Sequence, residues 1–508
     1  MNLAAIRNHA LNWREWELNA IVIKELRQGV RSWTVTGMLL LFLVVLFIVS
    51  LGFLVFSSFD TNPDMQLGGN MFTWFLGVLT FASSFFIPLL LGARVAYERQ
   101  ESNQDLLYVS TLTPFQIILG KFLCGAYTTV LFFSACMPFM AFTNLLRGVD
   151  LPTVFFILFY LFLVVCGANM ISIFLACLPV SRAFKFLFLI YGIFQACSVT
   201  GFAQAANYNL LRSGVGAMMA QKEFWQANAA ILGIILFIIG LFFVLSVALI
   251  SPPSANRALI PRLYLTGIWL VSGIGMAWLA IDKREAIILY AWFIPSFIIL
   301  GCALLVVISN QDQLSTRVRR TIPRHPLKRF LAFPFYNGAA GGLLWIFGLF
   351  FATLCLQGLV DDLIPRRVPR LSNPEDQMNF LRSMAVTSLY ALDYCLLGRW
   401  LQRRFFPQRP AKLAGLLSVL LAGGWALAPS IFLFFANRLS WKSVDGFQPG
   451  NIFNVFTLNT AAYSWVHGWV ALTALVLLLM LNARWLLNQW RAFVPPTPAP
   501  ATEPPAAA

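Results

Sequence analysis

The sequence predicts an all-α, polytopic integral membrane protein of about 12 transmembrane helices, preceded by an amphipathic helix at its N-terminus. Two observations carry that class. The 508 residues are 59% apolar and 15% aromatic but only 11% charged, against about 25% charged in soluble domains. Apolar runs long enough to cross a hydrocarbon core, about 20 residues for roughly 30 Å, recur along the whole chain.

Taken in order, the crossings are expected at 34–56, 71–93, 119–143, 152–178, 184–206, 227–250, 263–281, 286–308, 336–357, 381–397, 413–436 and 461–483. The tenth is the least apolar: "LRSMAVTSLYALDYCLL" holds Asp393. It is retained because removing it would put the basic loop "RWLQRRFFPQRPAK" on the wrong side. Basic residues near helix ends are held on the cytoplasmic side, and an N-terminus inside places most of the 36 Lys and Arg there. The expected location is therefore the cytoplasmic (inner) membrane, multi-pass, with both termini cytoplasmic. The expected division is a cytoplasmic 1–33, six helices over 34–250, six more over 251–487, and a disordered Pro/Ala-rich tail over 488–508.

The net charge of +16 follows from this bias and suits anionic headgroups, so the lipid bilayer is the expected charged partner and nucleic acid is not. No cleavable signal peptide is visible, and the first crossing would act as an uncleaved anchor. All eight cysteines fall inside proposed crossings without CxxC spacing, which reads as small buried hydrophobes.

Several chemistries lack their residues. There is no GxxxxGK[ST] phosphate loop; Gly120-Lys121 is followed by Phe and opens a membrane helix. His9, His325 and His467 are too scattered for a zinc or Ser/His/Asp arrangement. The chain is therefore not expected to be an enzyme, with no catalytic, cofactor-binding or metal-binding residues of its own. Asp393 is the candidate intramembrane polar site, because an ionisable residue within a crossing marks either an ion pathway or a position near an interface.

The cytoplasmic segments are more informative. In "NAIVIKELRQGVRSW", at about 100° per residue, Val22, Ile23, Leu26, Val30 and Trp33 share one arc, while Lys24, Glu25, Arg27, Gln28, Arg31 and Ser32 lie opposite. This reads as an interfacial helix with Asn19 as N-cap and Trp33 anchoring the turn into the first crossing. The alternative is an ordinary basic flank. Between crossings two and three, "RVAYERQESNQDLLYVSTLTPFQIILGKFLCG" puts charge first and then an apolar "LLYVSTL" too short to span. A short surface helix is expected there, with Pro114 turning the chain back toward the bilayer.

Together these two stretches resemble permease subunits of the type 2 ABC exporters. In that family an elbow helix, often Asn-Pro-(apolar)-Lys-Glu-(Leu/Phe)-Arg, precedes the first crossing. A loop with Glu-Arg, a Gly-Thr-x-Glu-like turn, Thr/Ser-Pro and Gly-Lys follows the second. The elbow match falls on Asn19, Lys24, Glu25, Leu26 and Arg27, flanked by Arg31 and Trp33. The loop match falls on Glu98, Arg99, Asp105, Leu106, Leu107, Thr113, Pro114, Gly120 and Lys121. Ala20 replaces the usual proline, and Ser102-Asn103 stand where Gly-Thr is common. The resemblance covers roughly residues 19–250.

The resemblance implies a permease moving an unknown substrate, driven by a separate ATP-binding subunit that binds the ATP and docks on a coupling helix around Asp105 to Leu112. It also implies a second half, from a homodimer, another permease, or this chain itself. Ser309-Asn310-Gln311-Asp312 after crossing eight repeats Ser102-Asn103-Gln104-Asp105, which points to duplication. Against it, crossing seven has no elbow before it, and the second loop is basic. An ion-coupled secondary transporter and a non-transporting membrane scaffold or maturation factor remain the alternatives.

Overall fold

A computed structural model describes residues 20–59, 67–100, 113–146, 149–178, 182–213, 215–285, 287–363, 374–436, 448–457 and 461–496. The chain divides into two compact units, Met1–Pro252 and Pro253–Ala508. Every regular element among the described residues is helical. Ten of these helices are long and apolar enough to cross a bilayer, which makes the chain a polytopic, all-α membrane protein.

In the first unit the elements are α1 (Ala20–Val30), α2 (Trp33–Phe59), α3 (Leu67–Gln100), α4 (Pro114–Leu145), α5 (Leu151–Cys177), α6 (Arg182–Ser213), α7 (Val215–Met219) and α8 (Lys222–Ile250). The central member is α3, which packs on α2, α4, α5 and α6. Its buried Phe72, Phe75, Leu76 and Leu79 meet Phe132 and Met140 of α4 and Val154 and Val165 of α5. The opposite stripe of α2 leaves Leu40, Val44, Phe47 and Ile48 exposed, as expected of a helix whose outer face meets lipid. A glycine lets α3 and α5 approach: a side chain at Gly92 would run into Ser172, whose hydroxyl donates to the Pro88 carbonyl at 2.5 Å.

In the second unit the elements are α9 (Leu259–Lys283), α10 (Ile287–Ile308), α11 (Thr316–Arg320), α12 (Pro326–Ala332), α13 (Ala339–Leu363), α14 (Pro374–Phe405), α15 (Lys412–Ala436), α16 (Asn454–Thr457) and α17 (Ala461–Ala492). Here α14 is central, packing on α10, α13, α15 and α17. The core joins Phe293 and Phe297 of α10, Trp345 and Phe350 of α13, Leu392 and Leu396 of α14, and Leu478 and Trp485 of α17.

The expected fifth and tenth crossings fall on α6 and α14, each a helix of 32 residues, but neither is among the ten. Polar residues on α14 account for its lower apolarity: Asp393, Arg399 and Gln402 are all buried against neighbouring helices. The cysteine expectation needs correction. Cys124, Cys136, Cys166, Cys177 and Cys395 are buried, but Cys197, Cys302 and Cys355 are exposed on helix surfaces. In a bilayer-spanning helix a small apolar side chain is as well solvated by acyl chains as by protein. The expected tail, 488–508, begins inside α17 as far as Ala492, and 497–508 lie outside the described residues.

Candidate functional site

The site is a charge network of the first unit that joins α1 to the two helix ends flanking the loop after α3. Its position begins with local chain chemistry. "TPFQ" opens α4 with a capping box: the Gln116 amide donates to Thr113 Oγ1 at 3.3 Å, and the Thr113 amide donates to Gln116 Oε1 at 2.9 Å. Two orphan donors of the first turn are thereby satisfied, and Pro114 at the first helical position has no N–H to orphan. Two turns further on, Gly120 and Lys121 are buried.

The Lys121 ammonium donates to Glu98 Oε2 at 2.6 Å and to Glu25 Oε1 at 3.0 Å. Lys24 Nζ lies 3.7 Å from the other Glu98 oxygen. The Lys121 and Glu25 side chains are 6% and 4% exposed, so their pairing is made away from water, while Glu98 keeps 31% exposure. With two cations and two carboxylates the cluster is formally neutral. Neutrality and hydrogen bonding are what allow ions to sit in a low-dielectric interior, where an unpaired charge is strongly disfavoured.

Glu25 therefore departs from the sequence expectation. The helical-wheel reading puts it on a polar arc facing water; instead Val22 and Glu25 are buried, with Leu26 and Gly29 half-buried, and α1 packs on α4. The pair with Lys121 overrides hydropathy, because the lysine gives that side of α1 a partner that water cannot match in a buried setting. Ile23, expected on the apolar arc, is exposed, as are Lys24, Arg27 and Arg31. Trp33 is 90% exposed at the start of α2.

Four sequence-predicted residues, Lys24, Glu25, Glu98 and Lys121, are thus brought into one cluster, and Thr113 and Pro114 cap the helix that presents Lys121. Asn19, Asp105, Leu106 and Leu107, with the coupling helix expected around them, lie outside the described residues. Arg99 is described only as part of α3.

Asp393 is buried in α14, and neither carboxylate oxygen has a hydrogen-bond partner among the described residues. Arg399 does not pair with it. Arg399 Nη2 instead meets Asp312 Oδ2 at 2.5 Å, and the Trp485 indole N–H donates to that oxygen at 2.8 Å. The Arg399 and Arg403 guanidinium carbons lie 5.6 and 4.6 Å from the Trp485 ring centroid, and Arg403 donates to Asn482 Oδ1. Of this cluster Asp312 carried a sequence signal through the repeated Ser-Asn-Gln-Asp, and Arg399 and Arg403 only as members of the basic loop.

Two more buried polar arrangements carried none. Arg262 donates to the carbonyls of Pro334 at 2.6 Å, Tyr336 at 2.8 Å and Gly338 at 3.2 Å. His467 is fully buried, its Nδ1 3.0 Å from Tyr390 Oη and its Nε2 3.2 Å from Asn454 Oδ1. Because Asn454 Oδ1 also accepts from the Gln448 amide, the arrangement assigns the proton to His467 Nε2. Among the described residues no group of three or more His, Cys, Asp or Glu could hold a metal ion.

Comparison of the chain with protein-family models, with curated proteins and with solved structures finds no match in any of them.

Proposed function

We propose that this chain is the membrane-spanning permease of an ABC transporter of the type 2 class, moving its substrate with ATP hydrolysed by a separate subunit. In this reading α1 is the elbow helix, α6 and α14 complete twelve crossings of the cytoplasmic membrane, both termini are cytoplasmic, and the loop 101–112, with a coupling helix around Asp105 to Leu112, receives the ATPase. The observation that carries it is Lys121 held between Glu25 and Glu98. Four of the residues that the family motifs single out in elbow and loop, Lys24, Glu25, Glu98 and Lys121, meet at one point, linking the elbow to both helix ends from which the loop springs. Displacement of the loop by nucleotide-driven closure would then move α1, α3 and α4 together, a two-state rigid-body device biased by a ligand.

The deciding measurement is ATP-dependent flux, with copurification of an ATP-binding subunit. The permease reading expects Glu98→Gln and Asp105→Asn to leave the complex assembled and its ATPase active while transport falls at least tenfold. Silent substitutions with no ATPase recovered would overturn it.

An ion-coupled carrier is the second reading, favoured by Asp393, whose buried carboxylate has no hydrogen-bond partner among the described residues. It expects Asp393→Asn to abolish uptake driven by a pH or sodium gradient without ATP. The permease reading expects that variant to transport normally.

A further inference from the structure

We propose that the two units are copies of one six-helix design and that residues 309–332 form a second docking element, so that a single chain takes two ATP-binding subunits. The proposal rests on the permease reading above and removes the need for a second permease chain.

The first ground is the packing inside each unit. Counting the long helices as first to sixth, the order is α2, α3, α4, α5, α6 and α8 in one unit and α9, α10, α13, α14, α15 and α17 in the other. In both, the first packs on the second and third, and the second on the third, fourth and fifth. The third packs on the fourth and sixth, and the fourth on the fifth and sixth. In both, too, a short helix between the fifth and sixth, α7 or α16, packs against the fourth and sixth.

The second ground is a sequence match in register with that packing. Phe86-Ile87-Pro88 and Phe293-Ile294-Pro295 lie within the second helix of their units, and each is followed at the same separation by Ser-Asn-Gln-Asp, Ser102 to Asp105 and Ser309 to Asp312. Leu107 and Leu314 continue the match. A proline inside a helix removes a hydrogen bond and is costly. Its recurrence at the same distance from the same polar tetrapeptide, on the topologically equivalent helix, is what descent from one ancestor leaves behind.

The third ground is what the second copy offers. Past Asp312, α11 exposes Arg317, Arg319 and Arg320 around a buried Val318, and α12 begins beyond exposed Arg324 and exposes Leu327 and Lys328. Such a surface fits an ATP-binding subunit with an acidic rim around an apolar contact. Asp312, clamped by Arg399 of α14 and Trp485 of α17, ties the start of the segment to two bundle helices. In the first unit, Glu98 and Lys121 tie the ends of the equivalent loop.

Native mass spectrometry of the detergent-purified complex decides the matter, with the ATPase identified by its phosphate-loop peptide. The expected mass is one chain plus two ATPase subunits, falling to one chain plus one ATPase in the triple variant Arg317→Glu, Arg319→Glu, Arg320→Glu. These exposed substitutions are expected to leave the unfolding temperature unchanged, which separates lost docking from lost folding. Two chains with two ATPases would overturn the second docking element while leaving the permease reading intact; a chain with no ATPase would overturn the permease reading itself. If the triple variant kept both ATPases and lost only its binding to phosphatidylglycerol vesicles, the segment would be a lipid surface and the docking proposal would fail.

Discussion

Lys121 and Glu98 meet at 2.6 Å across a loop that separates the helices bearing them, and the same ammonium reaches Glu25 of α1 at 3.0 Å. Lys121→Met leaves Glu25 buried without its cation, and unfolding in detergent is expected to lose about 3–5 kcal/mol. Glu25→Gln keeps a hydrogen-bonding group beside Lys121 and is expected to cost about 1–3 kcal/mol. The double variant should lose markedly less than the sum; additive losses would show that the pair is not energetically coupled.

Arg262 presents its guanidinium fork to three carbonyls of the segment entering α13. Lysine carries the charge but not the planar fork, so Arg262→Lys is expected to lose about 2–3 kcal/mol. Limited proteolysis should cut sooner between Arg324 and Gly338. An unchanged cleavage rate would mean that the fork does not hold the segment.

Gly398 and Gly423 make a matched pair. A Cβ at Gly398 would stand 2.7 Å from the Ala414 carbonyl oxygen and 3.0 Å from the Ser418 amide nitrogen, both backbone atoms that cannot swing aside, whereas one at Gly423 would meet nothing within 4 Å. Gly398→Ala is expected to destabilise by about 1–3 kcal/mol through separation of α14 and α15. Gly423→Ala is expected to be neutral or to stabilise by up to about 1 kcal/mol. Equal unfolding temperatures for the two variants would contradict the close approach.

The rotation of the cysteine-bearing helices offers a further check. Cys302→Leu and Cys355→Leu add bulk on outward faces and are expected to leave the unfolding temperature unchanged, whereas Cys136→Leu and Cys395→Leu overpack buried positions and are expected to cost about 1–3 kcal/mol. Equal unfolding temperatures for the two pairs would contradict the packing of α4 or α14.

The legible part of the site was its membership. Lys24, Glu25, Glu98 and Lys121 stand out because charge is rare in a chain that is 11% charged, and because two of them lie on α1 and two flank the loop after α3. The illegible part was its geometry. Periodicity within α1 puts Glu25 on the wet side, since a wheel sorts residues by hydropathy and holds no information about a lysine on another helix. Arg399 illustrates the same limit: nothing in the spacing along α14 names its partner, which is Asp312, beyond the end of α10.

By itself, then, the sequence determined that this chain is helical and where its helices run, because in a bilayer each apolar run must close its own backbone hydrogen bonds. The start of α4 was equally local, residing in Thr113, Pro114 and Gln116. Tertiary structure alone decided how each helix is turned about its axis, hence that Glu25 faces Lys121, that Cys302 faces outward and that Asp393 is left without a hydrogen-bond partner among the described residues. The physical reason is that acyl chains and protein interior are alike apolar, so hydropathy does not distinguish the two sides of a membrane helix; close packing and the few strong polar pairs set its rotation.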